Sequence, residues 1–257
     1  MISHTLSAHA DRQALNYERL TDAWRSLFFN ALGSSSFGSP ALVNSIVRQA
    51  YDLAQTFLED VDEDSENLVF EIATEAHTAT IDEIMSDASD ELTVEALEHL
   101  NQTKSYLIDS LGAQIHRDIA LLRLTLQRVN LEVSLASRSR RLSTANALME
   151  YRIGNKSDLQ FIFLDRNSRK WQSSKYIRGL WRHTLLSVYN EVVLHTLSEH
   201  GLERAQVNHM NADAQSHGMI IAMGSNADMP TYSEIRDTIF HPNSNAVLSM
   251  ETPNVSS

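Results

Sequence analysis

From Ile115 to Val133 the chain reads IHRDIALLRLTLQRVNLEV. Ile115, Ile119, Leu122, Leu126, Val129 and Val133 alternate steps of four and three, the spacing that sets side chains in one row along an α-helix. Leu97, Leu100, Leu107 and Leu111 continue the row towards the N-terminus. The pattern predicts one helix from about Thr93 to Ala136, on the order of 65 Å long at 1.5 Å per residue. Leu121, Leu124, Leu131 and Leu135 widen the apolar stripe beyond a two-stranded coiled coil, so a helix of a bundle is the better reading.

The surrounding sequence permits such helices. Between Pro40 and Pro230 there is no proline, and between Gly38 and Gly154 the only glycine is Gly112; both residue types punctuate helices. A first helix is expected over Asp11 to Leu32, with Leu20, Trp24, Leu27 and Phe28 on its apolar face. Gly33-Ser-Ser-Ser-Phe-Gly-Ser-Pro40 reads as a loop. Leu42, Ile46, Ala50, Leu53 and Phe57 again step at helical spacing, the acidic run Glu59 to Glu66 reads as a turn, and a further helix is expected from Glu66 to about Ser86.

Near residue 155 the character changes. Asp158-Leu-Gln-Phe-Ile-Phe-Leu-Asp165, the polar Arg166-Asn-Ser-Arg-Lys170 and then Trp171 look like a strand, a turn and a returning strand. Ser173 or Ser174 caps a helix to about His200, with Ile177, Trp181, Leu185, Val188 and Val192 inward, and Gly201 stands where a helix-ending glycine belongs. Strand-like pieces follow at Ala205–His209 and Met219–Met223. Thr231-x-x-Glu234 is a capping box opening a short helix, which His241-Pro242-Asn243 ends. The expected fold is mainly α: a long-helix N-terminal bundle over 1–154, a small α+β C-terminal module over 155–250, and a loose tail over 251–257.

Composition narrows the chemistry. The 257 residues include no cysteine, which excludes disulfides, thiol nucleophiles and Cys-ligated metals. There is no basic leader followed by an apolar core, and no apolar run long enough to cross a bilayer, so a soluble protein without membrane contact is expected. The net charge of −12 is unevenly laid out. Residues 1–113 carry 5 basic and 20 acidic side chains, residues 114–180 carry 13 and 5, and the remainder 3 and 8. Segregated charge marks separate surfaces for separate partners. Arg138, Arg140 and Arg141 cluster past the long helix. Arg166, Arg169, Lys170, Lys175, Arg178 and Arg182 follow, interleaved with Trp171, Tyr176 and Trp181. Basic residues beside aromatics suit DNA, by backbone neutralisation and stacking; the same residues suit an acidic protein partner.

No Gly-x-Ser-x-Gly elbow, HExxH, P-loop or dinucleotide fingerprint is present. The cluster Asp60, Asp62, Glu63, Asp64, Glu66 lacks the glycine and terminal Glu of a calcium loop. His209, Asp213 and His217 are spaced by four, and His241 would complete a tetrahedral metal set; the local sequence around them favours a turn over a helix. No catalytic constellation and no cofactor is expected. A metal-dependent hydrolase or nuclease, or an injected effector, built on these four residues is the alternative.

Across residues 160–248 an ordered set of features resembles the phage head-morphogenesis, or minor head protein, family. Phe163-Leu-Asp-Arg166 precedes an arginine-bearing helix, Tyr176-Ile-Arg-Gly-Leu-Trp-Arg182 through Tyr189-Asn-Glu191, which ends at Gly201 before a strand. Asn211-Ala-Asp213 to His217-Gly218 follows, then His241-Pro242-Asn243 ahead of another apolar strand. Many members carry a Cys-x-x-Cys-like pair after the aspartate and a cysteine after His-Pro-Asn; here Ser216 and Ser244 occupy those stretches. The resemblance implies a structural virion protein made in the host cytoplasm. It would sit in the phage head near the portal and act in head assembly, genome packaging or DNA delivery. Portal or capsid proteins, or further copies of the chain, would be its partners. Asp213, His241, Pro242 and Asn243 would be structural anchors of the module.

Overall fold

The computed structural model describes residues 2–85, 91–154, 159–164, 168–224, 228–241 and 244–251. Along the chain lie α1 (Ile2–Leu32), α2 (Pro40–Ile84), α3 (Val94–Arg140), α4 (Thr144–Gly154), β1 (Ile162–Leu164), β2 (Lys170–Gln172), α5 (Ser173–Glu199), β3 (Arg204–His209), β4 (Ile220–Ala222), α6 (Tyr232–Ile239) and β5 (Ala246–Met250). The long N-terminal helices form a bundle, and a small three-stranded sheet lies near the C-terminus. Arg166, Pro242, Asn243 and residues 252–257 of the expected tail lie outside the described residues.

Local chemistry fixes the helix ends. Ser39 Oγ accepts from the Leu42 N–H at 3.2 Å, with Pro40 in the first helical position of α2. Thr93 Oγ1 accepts from Ala96 N–H at the start of α3, and Ser143 Oγ from Asn146 N–H at the start of α4. Gly201, at φ +70°, closes α5, with Leu202 N–H donating to Leu197 O. The Thr231 N–H donates to the Glu234 carboxylate at 2.8 Å, completing the expected capping box of α6.

Two expectations are corrected. The acidic run Glu59 to Glu66 is not a turn: α2 runs through it unbroken. Val61, Ser65, Leu68, Val69 and Ile72 keep a buried row going on its inner face, while Lys104 bridges Asp62 and Glu66 at 3.1 and 2.9 Å outside. Nor does α1 begin at Asp11. It begins at Ile2, with Ser3, Leu6, Ala10 and Gln13 buried at helical spacing.

By packing, the chain divides into two compact units. The first comprises Met1–Gln13, Asp62–Ile108 and Arg178–Ser257, and the second Ala14–Val61 and Asp109–Ile177. The change of composition near residue 155 falls within the second unit.

The first unit holds the sheet, of order β4-β3-β5 and antiparallel throughout. Ala205, Val207, Ala246 and Leu248 alternate inward along β3 and β5. From α5, the fully buried Asn190 accepts the Leu248 N–H at 2.9 Å, and from α2 the Glu83 carboxylate accepts the Met250 N–H at 2.8 Å.

The second unit is centred on the α3 seam, where Ile115, Ile119, Leu122, Leu126, Val129 and Val133 are all buried. Trp24 donates to Ala50 O at 3.1 Å and packs against Phe161 with ring centroids 5.5 Å apart. In the α1–α2 loop Gly38 sits at φ +92°, a conformation that favours glycine, and a Cβ there would also displace the Asn130 side-chain amide of α3. The β1–β2 hairpin pairs Phe163 with Trp171, as the strand–turn–strand pattern predicts.

Candidate functional site

The basic stretch separates into groups with different surroundings. Arg178 pairs with Asp11 of α1. Arg182 donates to Ser244 O at 2.9 Å and to the Asn245 side chain, pinning the turn before β5. Burial and the neighbouring Arg178 pull the Arg182 pKa down. These two arginines are internal ties of the first unit, and Trp181 between them is fully buried.

Arg169, Lys170, Trp171 and Lys175 stay at the surface of the second unit. With Ile162 and Gln172 they line a shallow hollow of about 460 Å³. All three residues of β2 are exposed, so the hairpin presents its cationic side chains and the indole together. Arg138, Arg140 and Arg141 are exposed at the end of α3, where Arg140 pairs with Glu150 at 2.8 Å. Arg141 takes the left-handed conformation, φ +54°, that terminates the helix.

A buried polar cluster holds the hairpin in place. Asp118, 3% exposed, accepts from the Tyr17 hydroxyl at 2.6 Å, from Ser173 Oγ at 2.9 Å and from Gln114 Nε2 at 3.1 Å. The Ser173 N–H donates to Phe161 O at 2.9 Å, fastening the base of β1 to the first turn of α5. Arg117 donates through two nitrogens to Gln114 Oε1 and lies over the Tyr176 ring, 5.8 Å from its centroid. Burial raises the Asp118 pKa against the pull of its three donors. Burial and the Asp118 charge push the Tyr17 hydroxyl up, which keeps it a donor. Sequence reasoning passed over this cluster, although Asp118 falls on the apolar row between Ile115 and Leu122.

In the first unit a second polar group was also unforeseen. His183, Ser187 and Glu191 of α5 and Arg236 of α6 line a cavity of about 290 Å³ with Tyr106. Arg236 donates to Ser187 Oγ at 3.1 Å and stands 3.7 Å from Glu191. His183 Nδ1 and Arg236 Nε are buried without a hydrogen-bond partner. Burial raises the Glu191 pKa; burial, then the Arg236 charge, lowers that of His183, with a hydrogen bond to the Phe240 backbone opposing.

The metal candidates are not gathered. His209 ends β3 and His217 lies in the loop back to β4, where His217 Nδ1 accepts the His209 N–H at 3.0 Å and His209 Nε2 meets Ser216 Oγ at 2.7 Å. Asp213 is exposed in an Asx turn, its N–H on Asn211 Oδ1. His241 is exposed ahead of the turn in which its carbonyl accepts the Ser244 N–H. Among the described residues no three His, Asp or Glu side chains come together to hold a metal ion. Burial and His217 lower the His209 pKa. Among the described residues, too, no helix is long and apolar enough to cross a membrane.

Compared with family models, curated proteins and solved structures, the chain matches none.

Proposed function

We propose that this chain is a phage minor head protein, a non-enzymatic structural component of the virion at or near the portal vertex, acting in head assembly, genome packaging or DNA delivery. The observation that carries the reading is the order of elements over residues 160–248. A hairpin, an arginine-bearing helix stopped by Gly201, a strand, a tight loop through Asp213 and a final strand after His241 follow one another in the order of the features that carry the resemblance, with the short helix α6 standing before the last of them. The strongly acidic stretch 1–113 is repelled by packaged DNA and faces portal, capsid or further copies of the chain. The hollow around Trp171 contacts DNA without sequence preference, the indole stacking on a base and Arg169, Lys170 and Lys175 neutralising phosphates.

Crosslinking mass spectrometry on purified virions tests the placement. Crosslinks from this chain to the portal protein are expected; crosslinks to tail fibre or baseplate, or absence from the virion, would sink it. For the DNA contact, Trp171→Ala should weaken binding of a single-stranded oligonucleotide about tenfold. Lys170→Glu and Lys175→Glu should each flatten the salt dependence by about one phosphate contact.

A further inference from the structure

The outer face of α3 repeats the spacing of its buried seam with different chemistry. Leu124, Leu131 and Leu135 are 63%, 60% and 56% exposed, an unusual position for three leucines on one helix. At 3.6 residues per turn they fall within about 20° of one line along the helix, and Arg128 and Arg138 fall within about 40° of it. That line lies opposite the row Ile115 to Val133, which is fully occupied by the core. The only acidic residue exposed between Arg117 and Arg141 is Glu132, which stands 3.9 Å from Arg128 in a pair that is half exposed on both sides and so open to exchange for a partner's carboxylate. All of these residues belong to the second unit.

We propose that this face docks an acidic amphipathic helix of a protein partner, whose apolar residues repeat at four and three and are flanked by Asp and Glu. The inference does not depend on the virion reading. A leucine row at this spacing is the complement of another helix's apolar row, and the arginines beside it select the charge of that helix. A second copy of α3 is a poor occupant. Antiparallel pairing that sets Leu124 against Leu131 also sets Arg117 against Arg138, and parallel pairing sets Arg128 on Arg128. DNA would be served by the arginines and would leave the leucines in water.

The test uses the full chain and two labelled designed peptides of about four heptads, long enough to hold a helix. Both carry leucine at the seam positions; one has glutamate at the flanking positions and the other lysine. Saturable binding of the glutamate peptide and none of the lysine peptide is expected. Leu124→Ser with Leu131→Ser should weaken binding by about tenfold per leucine, with the melting temperature lowered by only a few degrees because most of each side chain is already in water and serine costs little helix propensity. Arg128→Glu should weaken it further and reduce its salt dependence. The proposal is overturned if the glutamate peptide fails to bind, or if its binding survives the double leucine substitution. It is equally overturned if both peptides bind alike, or if a DNA duplex or anionic vesicles bind instead in a leucine-dependent way.

Discussion

The second unit surrounds Asp118 with donors, whereas the first leaves Glu191, Arg236 and His183 half-wet beside a cavity. The two clusters use similar groups but not similar geometry. Tyr17, Ser173 and Gln114 converge on one carboxylate at 2.6 to 3.1 Å. Arg236 stands 3.7 Å from Glu191, and its Nε and His183 Nδ1 lack partners. A buried polar network holds structure together only when its members are satisfied. By that criterion Asp118 is a clamp for the hairpin that bears Trp171, and the Glu191 group contributes little to holding α6 on α5.

Asp118→Ala tests the clamp and is the largest effect expected. It removes the acceptor that three buried donors share and strands the Tyr17 hydroxyl, while Ser173 Oγ keeps Phe161 O and Gln114 Nε2 keeps Ser173 Oγ, both at 3.1 Å. Urea unfolding should therefore show a loss of about 2–3 kcal/mol. Ser173→Ala removes one donor and loosens the hairpin base, for about 1–2 kcal/mol. The same Ser173→Ala variant should weaken oligonucleotide binding at the Trp171 hollow, although Ser173 does not line it. A stable Asp118→Ala variant would mean that the network is ornamental.

At the other cluster, Arg236→Met should change stability by less than about 1 kcal/mol. The pair it breaks is long and its side chains are 40% and 36% exposed, so solvent screens it, and the 3.1 Å bond to Ser187 Oγ lost with it is a single part-buried one. Removing the unpartnered Nε also relieves a desolvated donor. If Arg236→Met costs as much as Asp118→Ala, the contrast between the two units fails.

How far the sequence foretold these clusters depends on periodicity. The α3 seam, the hairpin, α5 with its Gly201 stop and the α6 capping box were legible because apolar spacing and cap residues are local signals. The start of α1 and the middle of α2 were hidden by polar residues doing the work of apolar ones. Ser3, Gln13 and Ser65 are buried, and Ser65 meets its need locally by donating to Asp62 O at 2.9 Å. Asp118 belongs to the same class. Its place on the buried row could be counted from Ile115, but its partners Tyr17 and Ser173 lie 101 and 55 residues away. For Arg178 and Arg182 the sequence shows one stripe and not their partners: Asp11 for the first and the Ser244–Asn245 turn for the second.

The smallest expected effect is also the most specific, because Asp118 and His183 titrate with opposite sign. Burial raises the Asp118 pKa, so the folded chain holds that proton more readily than the unfolded one. Its contribution is fully present below the unfolded value, about 3.9, and is lost as pH rises through the folded one. His183 is depressed by burial and by Arg236, so its contribution is present above about 6.5 and lost as pH falls through the folded value. Glu191, raised by burial, shifts stability in the same direction as Asp118 but within the first unit, so single variants are needed to separate them. Urea unfolding from pH 4 to 8 at fixed ionic strength should show wild type losing ground to Asp118→Asn as pH rises. Against His183→Gln it should lose ground as pH falls. Parallel profiles for the two variants would mean that the burial of one of these groups is not maintained in solution.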